Sequence, residues 1–332
     1  MNAPRHELAL DWGLAALTSA LQAALPGAVV EALGQVASTN TSLLELGRRS
    51  VGPLLPRLLV AEQQTQGRGR LGRVWHASPG ASLTFSLALP LAPRSWNGLS
   101  LAVGLALAQA LEPAPATRAR IGLKWPNDLW LWEGPGQGRK LGGVLIETVG
   151  STAGLPRWCV VGVGLNIRPQ PEHGPSAGSA CLEELAGYGA AALTAPLTAP
   201  LTAPFTAPLT APPMAPPMPP PMPSLTAPAV LATLAPALAL ALQTFQAEGF
   251  APLTEAYAQR DVLRGQAVAT LEAGVPAQQG VAEGVTAEGA LRLRAGALHH
   301  VLSGEVSVRL QPGSGPPYGA GVASITIPSA PC

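Results

Sequence analysis

Residues 66–76 read QGRGRLGRVWH: Arg68, Arg70 and Arg73 stand among Gly67, Gly69 and Gly72, and Trp75 closes the run. Guanidinium forks match phosphate and carboxylate oxygens, often bidentately, and glycine lets a backbone approach its ligand closely. In an extended segment alternate arginines project to one side, so this loop is expected to clasp a small polyanion. No acidic residue lies between Glu62 and Glu112 to neutralise it locally. A solvated basic loop is the plain alternative. Contact with single-stranded nucleic acid through the arginines and Trp75 is another. The formal net charge of +1 and a charged content of only 12% argue against a general nucleic-acid surface, so any anion site is local.

Of 20 basic residues only two are lysine, Lys124 and Lys140. In a chain that otherwise uses arginine they are either leftovers of composition or places where a compact ammonium is needed and a planar guanidinium does not substitute, and their contexts, KWPND and GRKLGG, favour the second. Lys124 opens KWPND (124–128), in which Pro126 biases Trp125 toward an extended conformation and makes a strand–turn–strand element. Asn127 and Asp128 have the ordinary turn role of bonding the backbone as their alternative. Lys140 lies in GRKLGG (138–143), which runs into an apolar strand, GRKLGGVLIE, where Gly142 and Gly143 leave room for a close approach. VVGVGLNI (160–167) is a glycine-bearing buried strand ending at Asn166; its G-x-G is not followed by the rest of a dinucleotide fingerprint.

STN (38–40), QTQGRGRLGRVW (64–75), KWPND, GRKLGG and GVGLNI follow one another over about 130 residues. In that combination the sequence closely resembles the biotin protein ligases, or biotin–[acetyl-CoA-carboxylase] ligases. The resemblance covers about residues 36–168 and continues more weakly through 229–260 and 262–310. It implies that Ser38, Thr39, Asn40, Gln64, Arg68, Gly69, Arg70, Lys140 and Gly143 bind biotin. Arg70, Arg73, Trp75, Lys124, Asn127, Asp128 and Asn166 would bind ATP, with Trp75 and Asn166 at the adenine. Lys140, Arg68 and Arg70 are the implied catalytic residues. The implied substrates are ATP and biotin, with Mg²⁺, whose ligands are not assigned. The reaction would make biotinyl-5'-AMP, release pyrophosphate, and pass biotin to a lysine of a biotin carboxyl carrier protein domain, such as that of acetyl-CoA carboxylase. A lipoate or octanoate ligase of the same core is the nearest rival; a nucleic-acid-binding regulator and a ligand-binding protein without turnover are rivals of other classes.

Elements that would position these residues follow from pattern. Helices are expected near 8–24, after a cap at Asn40 or Thr41, and over 97–111, 229–248 and 252–260. Ser42 and Glu45 have capping-box spacing. Strands are expected at 29–36, 57–63, 82–89, 121–124, 128–132, 141–148 and 158–167. At 82–89 Leu83, Phe85, Leu87 and Leu89 alternate with Ser82, Thr84, Ser86 and Ala88, which predicts one buried and one more open face. The expected fold class is α+β, a mixed sheet flanked by helices, and the resemblance adds a class II aminoacyl-tRNA-synthetase-like core. QAVATL, GVAEGV, ALRLRA and EVSVRL predict a small C-terminal barrel, SH3-like by resemblance.

The expected organisation is a catalytic domain over 1–260 with a proline-rich LTAP insertion at 193–228, the barrel over 261–311, and a loose tail over 312–332. Cys159, Cys181 and Cys332 are too scattered for a disulfide framework or a zinc site, and point to the cytoplasm. Asp11 and the helical period of the N-terminal apolar run argue against a signal peptide, and no apolar stretch of membrane-spanning length lacks a proline or charge. Only 37 residues precede Ser38, with no basic recognition helix. The expected form is therefore a ligase that binds neither DNA nor membrane, as a monomer or weak homodimer.

Overall fold

The computed structural model describes residues 8–113, 119–150, 156–170, 179–188, 225–272, 275–302 and 306–311. Seven strands form the main sheet: β1 (Val29–Val36), β2 (Arg57–Gln64), β3 (Ser82–Leu91), β4 (Ile121–Lys124), β5 (Asp128–Gly134), β6 (Gln137–Val149) and β7 (Arg157–Asn166). Their order is β1-β2-β3-β7-β6-β5-β4. β1 and β2 are parallel and every other neighbouring pair is antiparallel, so the sheet is mixed, as the sequence predicts.

Helix α2 (Thr39–Arg49) lies against β2, β3, β6 and β7, where Leu43, Leu44, Leu59, Ala88, Trp158 and Val160 make a small core. α1 (Leu14–Ala24), α3 (Leu99–Leu111) and α4 (Ala227–Glu248) join the larger core, which takes Leu83, Phe85, Leu87 and Leu89 from β3. Ser82, Thr84, Ser86 and Ala88 are buried as well. The open face expected for this strand is closed because β3 sits inside the sheet and α2 covers it.

Several boundaries move for local reasons. α1 begins at Leu14, after Gly13 in the left-handed region (φ 56°). The chain before it is held instead by buried Glu62, which accepts from the Ala9 and Leu10 N–H groups (3.0 and 2.8 Å) and from Trp12 Nε1. α3 likewise starts after Gly98, whose φ of 80° ends the preceding turn. The helix expected at 252–260 is a 3-10 turn (Ala251–Leu253) followed by the short α5 (Thr254–Ala258). The proline-rich stretch expected over 193–228 lies mostly outside the described residues, as does the tail from 312. Its last residues belong to α4: Thr226 Oγ1 caps Ala229 N–H (3.4 Å), and Pro228 sits in the first turn, where a missing N–H costs nothing. α4 is long and apolar enough to cross a membrane by composition, yet Val230, Leu231, Leu234, Leu238 and Leu242 are buried in the core against α3 and β3.

A second, five-stranded antiparallel sheet comprises β8 (Ala267–Glu272), β9 (Val275–Val285), β10 (Leu291–Ala295), β11 (Ala297–Val301) and β12 (Val306–Leu310), in the order β11-β10-β9-β8-β12. β11, ALHHV, was not anticipated, because two adjacent histidines and an exposed surface hide its alternation. The two sheets are tied at β4. Leu123 N–H donates to Arg260 (2.6 Å), Val262 N–H donates to Leu123 (3.1 Å), and Trp125 Nε1 donates to Gly289 O (3.1 Å). Buried Arg260 donates to Glu112 (2.6 Å) and Ile121 O (2.9 Å).

Asp261 lies within this junction, 3% exposed, with one oxygen accepting from Leu263 N–H (2.9 Å) and the other unpartnered among the described residues. Burial pushes its carboxyl up to about 6, against which the Leu263 bond and Arg264 act only in part. A carboxyl whose folded pKa is raised binds its proton more readily in the folded state. Its favourable contribution is therefore lost as pH rises from the unfolded value, near 4, through about 6. Asp261→Asn is expected to equal wild type in stability near pH 4 and to exceed it by about 3 kcal/mol at pH 8. Urea unfolding of both proteins across that range checks this; a pH-independent difference would refute it.

Candidate active site

Ser38 caps α2 by accepting from Thr41 N–H (3.4 Å), and places Thr39 and Asn40, both buried, in the first turn. The cap is therefore Ser38, two or three residues before the position expected from sequence. Glu45 does not close a capping box but pairs with Arg49 (3.1 Å). Gln64, at the end of β2, accepts from Thr39 N–H (2.7 Å) and Thr39 Oγ1 (3.2 Å). Ser86 Oγ lies 2.7 Å from Thr39 Oγ1 and 2.6 Å from Asn40 Oδ1. Asn40 Nδ2 donates to Leu145 O (3.2 Å) and Glu147 Oε2 (3.0 Å). Its amide orientation is thus fixed on both sides: nitrogen toward a carboxylate, oxygen toward a hydroxyl.

The arginine–glycine loop is not extended. Gly69 N–H donates to Arg73 O (2.7 Å), Trp75 N–H donates to Gly67 O (2.9 Å), and a 3-10 turn (Arg70–Gly72) closes the tip, with Leu71 left-handed at φ 56°. The arginines consequently diverge. Arg68 pairs with Glu147 Oε1 (3.1 Å), a counter-charge supplied by β6 that local sequence could not reveal. Arg70 is half-buried; burial draws its guanidinium below the usual range, partly opposed by Asp128. Arg73 is exposed. The Trp75 ring lies on Gly164, where a Cβ would come within 2.5 Å of it, and its Nε1 has no partner among the described residues.

KWPND joins β4 to β5 through a cis Trp125–Pro126 bond. Asn127 keeps the ordinary turn role: Nδ2 donates to Val144 O (3.0 Å). Asp128 accepts from Lys140 Nζ at 2.7 Å. That meeting depends on a bulge. β5 pairs Leu129 with Gly142 but Trp130 with Lys140, so Leu141 is the extra residue and enters the core. Strict alternation would set Lys140 opposite to Gly143; the bulge brings them to the same side. A Cβ at Gly143 would stand 3.4 Å from Lys140 Nζ, which also lies 5.8 Å from the Trp75 ring centroid.

Ser38, Thr39, Asn40, Gln64, Arg68, Gly69, Arg70, Arg73, Trp75, Lys124, Asn127, Asp128, Lys140 and Gly143 all line one cleft. Val308 of β12 joins its wall. Asn166 does not: Nδ2 donates to Ala180 O (2.9 Å) and Oδ1 accepts from Gln170 (2.7 Å). Ser86, Glu147, Gly162 and Gly164 were overlooked as site residues. Ser86 sat on the face expected to be open, and Glu147 was the acid closing an otherwise apolar strand. The cleft joins a neutral end, rich in amides and hydroxyls, to a cationic end. Among the described residues no histidine lines it. Among the described residues no group of three or more His, Cys, Asp or Glu could hold a metal ion. Such a site can bind and orient a molecule with a polar neutral head and several anionic groups, and stabilise charge that develops between them.

The biotin/lipoate A/B protein ligase family profile matches residues 33–166. The bifunctional ligase/repressor BirA of Escherichia coli is 38% identical over 146 residues, 43% of this chain and 42% of that protein, so the match spans less than half of that relative. The biotin–[acetyl-CoA-carboxylase] ligase of Paracoccus denitrificans is 29% identical over 274 residues, covering 81% of this chain and 96% of its own. In fold, the biotin protein ligase of Aquifex aeolicus, solved with biotin and ATP, superposes with a TM-score of 0.60 at 24% identity over 85% of this chain and 99% of that one.

Proposed function

We propose that the chain, whose residues 33–166 match the biotin/lipoate A/B protein ligase family profile, activates biotin with ATP and transfers it to a lysine of a biotin carboxyl carrier protein domain. The observation that carries this reading is the junction in one cleft of the Thr39–Asn40–Ser86–Gln64 network with Arg68, Arg70, Lys124 and Lys140. Biotin's ureido ring both donates and accepts hydrogen bonds, and a neutral pocket of amides and hydroxyls matches it. Lipoate's dithiolane offers such a pocket no donor and only weak sulfur acceptors.

A carboxylate does not react with an amine, so biotin is first joined to the α-phosphate of ATP, the carboxylate oxygen forming the new P–O bond and pyrophosphate leaving. That approach sets anion against anion. Arg68, Arg70 and Lys140 offset the repulsion and stabilise charge in the in-line transition state. No protein nucleophile is needed. Holding the reactants together is itself worth about 7–11 kcal/mol of barrier. In the second step the acceptor amine attacks the biotinyl carbonyl, AMP leaves, and the loop over the mixed anhydride shields it from water.

Trp75 offers the face of its ring to the adenine. Lys124 flanks the phosphates, with Asn127 and Arg73 at the same end. Mg²⁺ would take most of its oxygens from those phosphates, and Asp128, the carboxylate of the cleft wall, could add one; bound there, it neutralises phosphate charge. Buried thiols at Cys159 and Cys181 fit a reducing compartment such as the cytoplasm.

Biotin-dependent exchange between ATP and labelled pyrophosphate tests the first step. We expect exchange with biotin and none with lipoate; exchange with lipoate alone would overturn the substrate assignment, and exchange with neither would overturn the activity.

A further inference from the structure

Lys124 projects from the end of β4 with its ammonium 4.7 Å from the ring centroid of Trp130 on β5. Among the described residues it has neither a hydrogen bond nor an ion pair. Asp128, which attracts it, gives Oδ1 to Lys140 at 2.7 Å. The Trp130 ring is in turn held by Gly138, where a Cβ would come within 3.0 Å of Cε3, and its buried Nε1 has no partner among the described residues. Nothing in the proposed reaction uses this tryptophan.

We propose that Trp130 is a positioning residue that holds the Lys124 ammonium over its π face and leaves the ammonium's N–H donors free for the nucleotide phosphates. A carboxylate in that place would fix the lysine equally well, but would cancel the charge and take the donors the ligand needs. A ring attracts the cation without either effect, and the attraction is strongest where water is excluded. The role rests on the reading of Lys124 as a phosphate contact.

The electrostatics agree. Burial draws the Lys124 ammonium below its ordinary pKa; Asp128 opposes this, while Lys140, Arg73 on the loop and Arg309 on β12 reinforce it. Against those three cations the ring, like Asp128, favours the ammonium form. Without it, Lys124 should lose its proton at lower pH.

The test is ATP–pyrophosphate exchange at saturating biotin by wild type, Trp130→Leu and Trp130→Phe, from neutral to alkaline pH. Trp130→Leu is expected to raise KM for ATP by about ten- to thirty-fold, to leave KM for biotin unchanged, and to move the alkaline limb of kcat/KM for ATP to lower pH. Trp130→Phe should restore most of both effects, because it keeps a π face. In a Lys124→Met background the leucine change should add nothing. Equal behaviour of Leu and Phe variants, or an undiminished effect in the Lys124→Met background, would overturn the role and leave packing as the explanation. Should leucine prevent folding, as read by thermal unfolding and biotin titration, Trp130→Met carries the same comparison. Wild-type protein that exchanges with no substrate defeats the proposed function instead, and the two failures are thereby distinct.

Discussion

Lys140→Arg is expected to lower kcat for biotin-dependent exchange by about 10²- to 10³-fold, the loss typical of removing one preorganised charge donor from a reaction centre. Charge is conserved in this change; shape is not. Lys140 Nζ lies 2.7 Å from Asp128 Oδ1 and 5.8 Å from the Trp75 ring centroid, over a glycine whose missing Cβ would stand 3.4 Å from it. A guanidinium brings a rigid fork into that space. It pairs bidentately with carboxylates, so it would lie along Asp128 and turn its charge from the ligand. Arginine also cannot pivot its donors around one nitrogen as an ammonium does. Wild-type exchange by Lys140→Arg would remove Lys140 from the reaction centre. Loss of exchange with intact biotin and ATP binding by calorimetry would assign it to the transition state.

The scarcity of lysine made Lys140 visible in the sequence, but its position was not. One-residue alternation predicts Lys140 and Gly143 on opposite sides of β6, and only the bulge at Leu141 reverses that. A bulge leaves no mark in hydrophobic pattern, since Leu141 remains an apolar residue in an apolar strand. The strands themselves were legible because the core of an α+β sheet imposes strong alternation or continuous apolar runs; short turns around KWPND and GPGQG make β4, β5 and β6 antiparallel neighbours, and the crossover through α2 makes β1 and β2 parallel. Long-range partners were not. Glu147 lies 79 residues from Arg68, and Ser86 lies 46 from Asn40. The loop's folded shape escaped for a related reason: three arginines alternating with glycines suggest an extended strip, whereas backbone bonds from Gly69 and Trp75 turn it back on itself. Asn166 is a different case. A polar residue ending a glycine-bearing strand invites a ligand role, yet here it holds Ala180 and Gln170.

Gly162→Ala should raise KM for biotin by about 10²-fold while leaving the fold assembled, because the added methyl meets one side chain and little else. A Cβ at Gly162 would stand 2.2 Å from Asn40 Oδ1 and 2.8 Å from its Cγ. The backbone cannot yield: β7 is bonded to β3 on one side and to β6 on the other at this position. Asn40 must therefore rotate away, forfeiting Ser86, Leu145 O and Glu147 together and leaving buried groups unpaired at the neutral end of the cleft. An overpacked methyl costs about 1–3 kcal/mol of stability, which a core of this size tolerates. Two residues on, Gly164 faces Trp75 and not Asn40, with a Cβ 2.5 Å from the indole. Gly164→Ala should therefore weaken ATP and spare biotin. The same one-carbon change, placed on the same strand and the same face, is expected to divide by substrate. If both variants impaired biotin alone, or ATP alone, the assignment of the neutral end to biotin and the Trp75 end to the nucleotide would be wrong; steady-state exchange kinetics with each substrate varied in turn reads the division.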